Sequence, residues 1–166
     1  MPPDADSGAR PYAARLGLPF AVIGVRIEAG LIAGLDLLPP DAPLLPAGDA
    51  LSRRLEAELQ AYLRDPRHPF GLPLQAAGTP FRRRVWAAAC AIPAGETRTY
   101  GALARQLHTG ARAVGQALGD NPLPILIPCH RVVAAGGLGG FDHRGAGFSL
   151  EIKRWLLRHE GVRSEE

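Results

Sequence analysis

Proline and glycine punctuate this chain so often that it can only be built from short elements joined by many turns. Twenty glycines and sixteen prolines stand among 166 residues. Many fall where they stop a helix or turn a strand, as at Pro39-Pro40, Asp65-Pro66, Pro93-Ala94-Gly95 and Gly161. At this length the segments make one large domain or two small ones, with enough chain to bury a core without disulfides or metal. There is no internal repeat.

The first block reads as β-β-α, with room for one more strand. Phe20–Ile27 and Gly30–Leu38 are apolar runs separated by Glu28-Ala29-Gly30, a hairpin pattern. After a loop from Pro39 to Gly48, Asp49 is placed to cap a helix reaching about Arg64. Leu51, Leu55, Leu59 and Tyr62/Leu63 share its apolar face. Met1–Arg10 carries Asp4 and Asp6 without a long apolar run, and reads as a frayed tail rather than a secretory signal.

The second block is helical. Thr79-Pro80 is a hydroxyl cap followed by proline at the first helical position. Thr99 caps a helix over Tyr100–Leu107, His108-Thr109-Gly110 turns the chain, and a third helix follows from Ala111 to about Gly119. Two short helices across a tight glycine-containing turn are the helix-turn-helix pattern. The third helix carries Ala111, Ala113, Gly115 and Ala117, with Arg112 as its one long probe. Close packing against another helix and close approach to a ligand surface explain that run of small residues equally well. Ile125–Val133 reads as an apolar strand broken at Pro128, and Ser149 starts a last helix that Gly161 closes. The glycine-rich stretch 136–147 matches neither a phosphate-cradling loop nor a dinucleotide fingerprint.

Charge is uneven. Residues 1–78 hold 7 basic and 9 acidic groups, and residues 79–166 hold 12 and 7. Between 79 and 118, six arginines face one acid, Glu96. Such clustering fits a nucleic-acid footprint or a solvated helix face. Two cysteines, Cys90 and Cys129, cannot form a disulfide framework or a four-thiolate zinc site, and they suit a reducing compartment. No apolar run is long enough to span a membrane. Cys90, Trp86 and Trp155 read as core residues, the tryptophans with satisfied indoles, while His68, His108 and His143 have no evident partner.

Cys129 stands between Pro128 and His130. A thiol becomes a nucleophile when its pKa falls or a base stands beside it. Neighbours on a strand point apart, but a backbone turn at Pro128 would bring thiol and imidazole together. Taken alone, the tetrapeptide fits a buried structural thiol equally well.

Pro128-Cys129-His130-Arg131-Val132 closely resembles the active-site signature of the O6-alkylguanine-DNA alkyltransferases. The likeness extends over Gly78–Phe81, Val85-Trp86, Pro93–Glu96, Thr99–Ala104, Ala111–Gly115, Asn121–Val133 and Lys153–Leu157 with His159-Glu160-Gly161. It covers about residues 70–161, in order. The resemblance implies an α+β fold: a small N-terminal sheet-and-helix domain, RNase H-like, then a mostly helical winged helix-turn-helix domain. The expected division is a bracing domain over 1–69, a linker over 70–78 and a DNA-binding and catalytic domain over 79–166.

The resemblance also implies roles. Cys129 is the alkyl acceptor, His130 the base acting through a water, and Glu160 the carboxylate that orients it. Asn121 is the hinge between the helix-turn-helix and the active-site strand. Tyr100 donates toward the leaving guanine and crowds the phosphate beside it. Arg112 is the finger that fills the duplex after the damaged base leaves. The third helix enters the minor groove, about 6 Å wide, which explains its small residues. The implied DNA-contacting set is therefore Ala111, Arg112, Ala113, Gly115 and Tyr100. Arg82, with Arg83 and Arg84, is placed for phosphates or is simply solvated. The implied pocket is Tyr100, Leu118, Val132, Phe141 and Lys153, although Lys153 on a surface helix also reads as solvated.

Two features depart from the family pattern. Phe141 replaces a tyrosine, and the chain is longer around Asp142–Gly147. The implied activity is irreversible, single-use transfer of an alkyl group from O6-alkylguanine, with O4-alkylthymine a further candidate. The implied partner is double-stranded DNA, met by a cytoplasmic monomer without cofactor, metal or membrane. A non-enzymatic lesion-binding relative and a plain winged helix-turn-helix regulator are the alternatives. A thiol hydrolase fits less well, because no oxyanion-hole motif is apparent.

Overall fold

The computed structural model describes residues 12–137 and 148–163. Strands β1 (Ala14–Leu18), β2 (Ala21–Glu28) and β3 (Leu31–Leu38) form an antiparallel sheet in that order. The β2–β3 turn is two residues long, and Ala29 and Gly30 both lie at positive φ, 51° and 77°. That geometry matches the twist of the strands it joins. Both sheet edges are covered. Arg15 exchanges backbone hydrogen bonds with Leu45 along β1, and Ile32 pairs with Pro73 and Gln75 along β3.

Helix α1 (Ala50–Arg64) begins where Asp49 accepts from the Ser52 amide at 2.8 Å. Its buried stripe is Ser52, Leu55, Leu59 and Tyr62. Helix α2 (Pro80–Cys90) is capped by Thr79, and α3 (Tyr100–Leu107) by Thr99. His108 ends α3 in the left-handed conformation at φ 58°. Helix α4 (Ala111–Gly119) starts after Gly110 with no side-chain cap. Two short parallel strands, β4 (Arg98–Thr99) and β5 (Val132–Val133), bring the start of α3 alongside the segment that follows Cys129. Helix α5 (Phe148–His159) closes the fold, and its C-terminus ends on Gly161 at φ 90°.

One contiguous core runs from Ala14 and Leu16 on the sheet, through Leu55 and Trp86, to Ile152 and Leu156 on α5. Across the two halves, the Leu35 amide donates to the Pro122 carbonyl at 2.9 Å, and Phe20 packs on Trp155 with ring centroids 4.6 Å apart.

The expected strand over Ile125–Val133 does not form as such. Ile125 adopts φ 76°, Cys129–Arg131 winds into a 3-10 turn, and only Val132–Val133 is extended and paired. Asn121 is the physical reason. Its side chain accepts from the Leu123 amide at 2.8 Å and donates to the Ile127 carbonyl at 2.9 Å. These bonds close the segment into a loop before it reaches the cysteine.

Cys90 is also corrected. It ends α2 at the surface, not in the core, and lines a cleft of about 660 Å³ with His68, Phe70, Glu96 and Arg131. Partial burial pushes its thiol pKa up, opposed by the Arg131 guanidinium. Trp86 is a core residue, and its indole donates to the Ala117 carbonyl at 2.8 Å. His68 Nε2 lies 3.5 Å from the Glu58 carboxylate without a hydrogen bond, and its ring meets Phe70 edge-on.

Candidate active site

The 3-10 turn carries both Cys129 and His130 into the interior, 5% and 0% exposed. A strand would have sent them to opposite faces. His130 Nε2 lies 2.8 Å from Glu160 Oε2. Glu160 follows the last turn of α5 and is itself buried.

That carboxylate receives more than the imidazole. Arg131 approaches it in a fork, Nε to Oε1 at 2.9 Å and Nη2 to Oε2 at 3.0 Å, while its Nη1 holds the Ile92 carbonyl at 2.7 Å. The Tyr62 hydroxyl, from α1, donates to Oε2 at 2.6 Å. Burial pushes the Glu160 carboxyl up, but donation from His130, Arg131 and Tyr62 outweighs it and brings the pKa down to about 2. Glu160 is therefore an anion at neutral pH.

His130 is also shifted down, for a different reason. Burial lowers its pKa below the ordinary value despite the neighbouring carboxylate. The ring is therefore neutral near pH 7. An ionised carboxylate only accepts hydrogen bonds, so the single ring proton sits on Nε2. Nδ1 is left unprotonated and buried, with no protein partner among the described residues. A neutral imidazole with a free lone pair has the chemistry of a general base.

Lys153 is fully buried, which overturns its reading as a solvated surface lysine. Its Nζ donates to the Val132 carbonyl at 2.9 Å and lies 5.7 Å from the centroid of the Tyr100 ring. Burial lowers its pKa to about 8, opposed by the attraction of Cys129. The site thus joins Cys129, His130, Glu160, Lys153, Tyr100 and Val132. Leu118 is buried in the core cluster. Phe141 and Asp142–Gly147 lie outside the described residues. Among the described residues no three His, Cys, Asp or Glu side chains cluster as metal ligands.

On the other side of Asn121, α4 presents an exposed Ala111 and Arg112 and a half-exposed Ala113 and Gly115. A Cβ added at Gly115 would meet no atom within 4 Å. Close packing against the protein's own helices does not explain this glycine. Arg82 is half-exposed and paired to Asp120 at 2.8 Å. Arg83 and Arg84 hold the Gly78 and Leu107 carbonyls.

Residues 80–162 match the profile of the DNA-binding domain of 6-O-methylguanine DNA methyltransferase. The chain belongs to this family. The methylated-DNA–protein-cysteine methyltransferase of Methanosarcina mazei is 41% identical over 110 residues, which cover 65% of this chain and 67% of that protein. The Shigella flexneri enzyme of the same name is 47% identical over 92 residues, 54% of this chain and 52% of the relative. The match therefore spans about half of the Shigella protein's length. The crystal structure of Mycobacterium tuberculosis OGT in complex with DNA is 34% identical with a TM-score of 0.71, covering 88% of this chain and 90% of that one. Its likeness reaches well beyond the DNA-binding domain, into the sheet and α1. The chain is thus a 6-O-methylguanine DNA methyltransferase family member with a mixed α+β fold.

Two residues of this family member's site were not assigned from sequence. Arg131 was visible only as the fourth residue of the signature, and its partner is 29 positions away. Tyr62 sits on the apolar stripe of α1, where it reads as core. Its polar tip was the available signal, since a buried tyrosine hydroxyl needs an acceptor.

Proposed function

We propose that this protein repairs DNA by taking the alkyl group from O6-alkylguanine onto Cys129, once and irreversibly. The observation that carries the reading is the neutral, buried His130, adjacent in the chain to the buried Cys129, its Nε2 proton engaged by Glu160 and its Nδ1 without a protein partner among the described residues. The thiol proton passes through one water to Nδ1, and Sγ attacks the alkyl carbon. The new bond is S–C and the broken bond is C–O6. The proton lost by sulfur is restored to the departing guanine, so the atoms balance without a cofactor. Lys153 keeps positive charge near the developing thiolate, and Tyr100 donates to the leaving base. The thioether is uncharged and has no low-energy route back, so each molecule acts once.

The duplex must release its base to a thiol buried this deeply. The open small-residue face of α4 supports entry into the minor groove, with Arg112 filling the gap in the stack. On this reading α3 and α4, with the β4–β5 pair, act as a winged helix-turn-helix. Residues 1–69 form an RNase H-like brace, 70–78 link, and 79–166 read DNA and react. The protein works as a monomer in the cytoplasm, O4-alkylthymine is a further candidate substrate, and the added residues around Asp142–Gly147 bear on the width of its alkyl range. Binding is mostly to phosphates, with little sequence preference.

The test is a duplex carrying one O6-methylguanine, titrated with protein. Wild type should remove one methyl per molecule and then stop, while Cys129→Ala should leave the lesion intact. Repeated turnover, or repair by Cys129→Ala, contradicts the reading.

A further inference from the structure

Glu160 Oε2 accepts from three donors at once: Tyr62 at 2.6 Å, His130 at 2.8 Å and Arg131 Nη2 at 3.0 Å. Three donors on one carboxylate oxygen share its charge, so what one takes the others lose. The Tyr62 contact is the shortest of the three and comes from the other half of the molecule.

Tyr62 is held rigidly for that contact. It is 2% exposed. Its ring meets Phe70 and His159 with centroids 5.7 Å and 5.0 Å away. Its backbone carbonyl lies 2.8 Å from His159 Nε2. None of these contacts uses the hydroxyl, whose described partner is Glu160.

We propose that Tyr62 is a positioning residue for alkyl transfer: its hydroxyl pins Glu160 Oε2 and limits the negative charge that His130 meets. This rests on the reading of Cys129 as alkyl acceptor and His130 as its base. The charged and titratable groups around the pair are Arg131 and Cys129 on the 3-10 turn, Lys153 and His159 on α5, and Tyr62 on α1. Burial first, then repulsion from Arg131 and Lys153, keeps His130 neutral, and Glu160 opposes them. Tyr62 weakens that opposition by occupying the same oxygen. Without the hydroxyl, more of the carboxylate charge falls on His130, and the ring protonates at higher pH.

The sign is then fixed. Transfer needs neutral His130, so the rate falls on the acid side of its titration. Tyr62→Phe keeps the ring contacts and should move that acid limb up by about one pH unit. On the limb the variant is about tenfold slower than wild type, and the difference narrows toward the alkaline plateau.

The experiment measures single-turnover methyl transfer from an O6-methylguanine duplex at saturating DNA across pH, for wild type and Tyr62→Phe. Superimposable limbs overturn the proposal. A wild type that transfers no methyl brings down the alkyl-transfer reading itself, whereas a wild type that transfers beside an unmoved limb brings down only the role of Tyr62. The shift should vanish when Tyr62→Phe is added to Glu160→Gln, and its persistence there is contradictory because the effect must run through the carboxylate. If Tyr62→Phe does not fold, proton NMR of wild type decides. A slowly exchanging downfield Tyr62 hydroxyl that shifts as His130 titrates supports the proposal, and one indifferent to that titration overturns it.

Discussion

A carboxylate as deeply buried as Glu160 costs several kcal/mol to ionise unless donors surround it. Here they come from the neighbouring 3-10 turn and from α1, and their combined effect holds the pKa at about 2. The anion then fixes the His130 tautomer, which makes the ring a base on its other nitrogen. Glu160→Gln should therefore slow methyl transfer by roughly 10²-fold, as expected for loss of a positioned general base. It should also destabilise the fold by about 3–5 kcal/mol, because the Arg131 guanidinium, 12% exposed, loses its counterion. Single-turnover rates and urea melts measure the two effects. An unchanged rate in a folded variant would detach Glu160 from the chemistry. Cys129, His130 and Glu160 were legible before the fold because the signature and the His-Glu-Gly ending are local strings. Tyr62 and Arg131 were not, because their bonds to Glu160 cross 98 and 29 residues and leave no spacing to read.

At the level of elements, α4 separates what the fold needs from what a partner needs. A methyl group at Gly115 meets nothing in the protein. Gly115→Ala should therefore stabilise the fold by about 1 kcal/mol, the usual helix-interior difference. If α4 enters the groove as proposed, the substitution should also weaken duplex binding, because the added carbon projects into open space on that helix. Urea melts and a duplex titration check the two halves, and unchanged affinity would move the DNA surface elsewhere. Arg112→Ala should slow repair of duplex more than attack on a free O6-alkylguanine base, since only base extrusion is impaired. Equal loss on both would remove the finger role. The starts of α1, α2 and α3 were legible because Asp49, Thr79 and Thr99 each cap through an oxygen three residues from its donor. The stretch 125–131 was not. Its apolar composition suits a strand and a buried turn alike, and the choice rests on Asn121 bonding to Leu123 and Ile127. The surface position of Cys90 was hidden for a similar reason. Alanine neighbours give a helix little amphipathic contrast, so neither face announces itself.

For the whole molecule, the buried Glu160–His130 pair ties stability to pH. The Glu160 carboxyl titrates lower in the folded chain than in the unfolded one. Its contribution is complete above the ordinary carboxylate range and is lost as pH falls toward about 2. His130 is buried neutral, so below its ordinary 6.5 the unfolded chain binds a proton that the folded chain refuses. Both effects have the same sign. Urea midpoints should fall steadily from about pH 7 toward about pH 2, and Glu160→Gln should flatten the part below the ordinary carboxyl value of 4.5. A flat wild-type profile would mean that the pair titrates as it does in the open chain. Duplex affinity should also drop steeply with added salt, since six arginines between 79 and 118 stand against one acid. Salt-independent binding would contradict a phosphate footprint. The charge asymmetry behind this prediction was plain in the sequence. How the halves join was not, because the bonds from α1 to Glu160 and from β3 to Pro122 depend on the assembled core.

The central claim concerns a single sulfur atom, and peptide mass spectrometry reads it directly. After incubation with excess methylated duplex, the peptide containing Cys129 should gain the mass of one methylene in every protein molecule, and the Cys90 peptide should gain none. An unmodified Cys129 in the presence of surplus lesion, or a methyl group found on any other residue, would contradict the account.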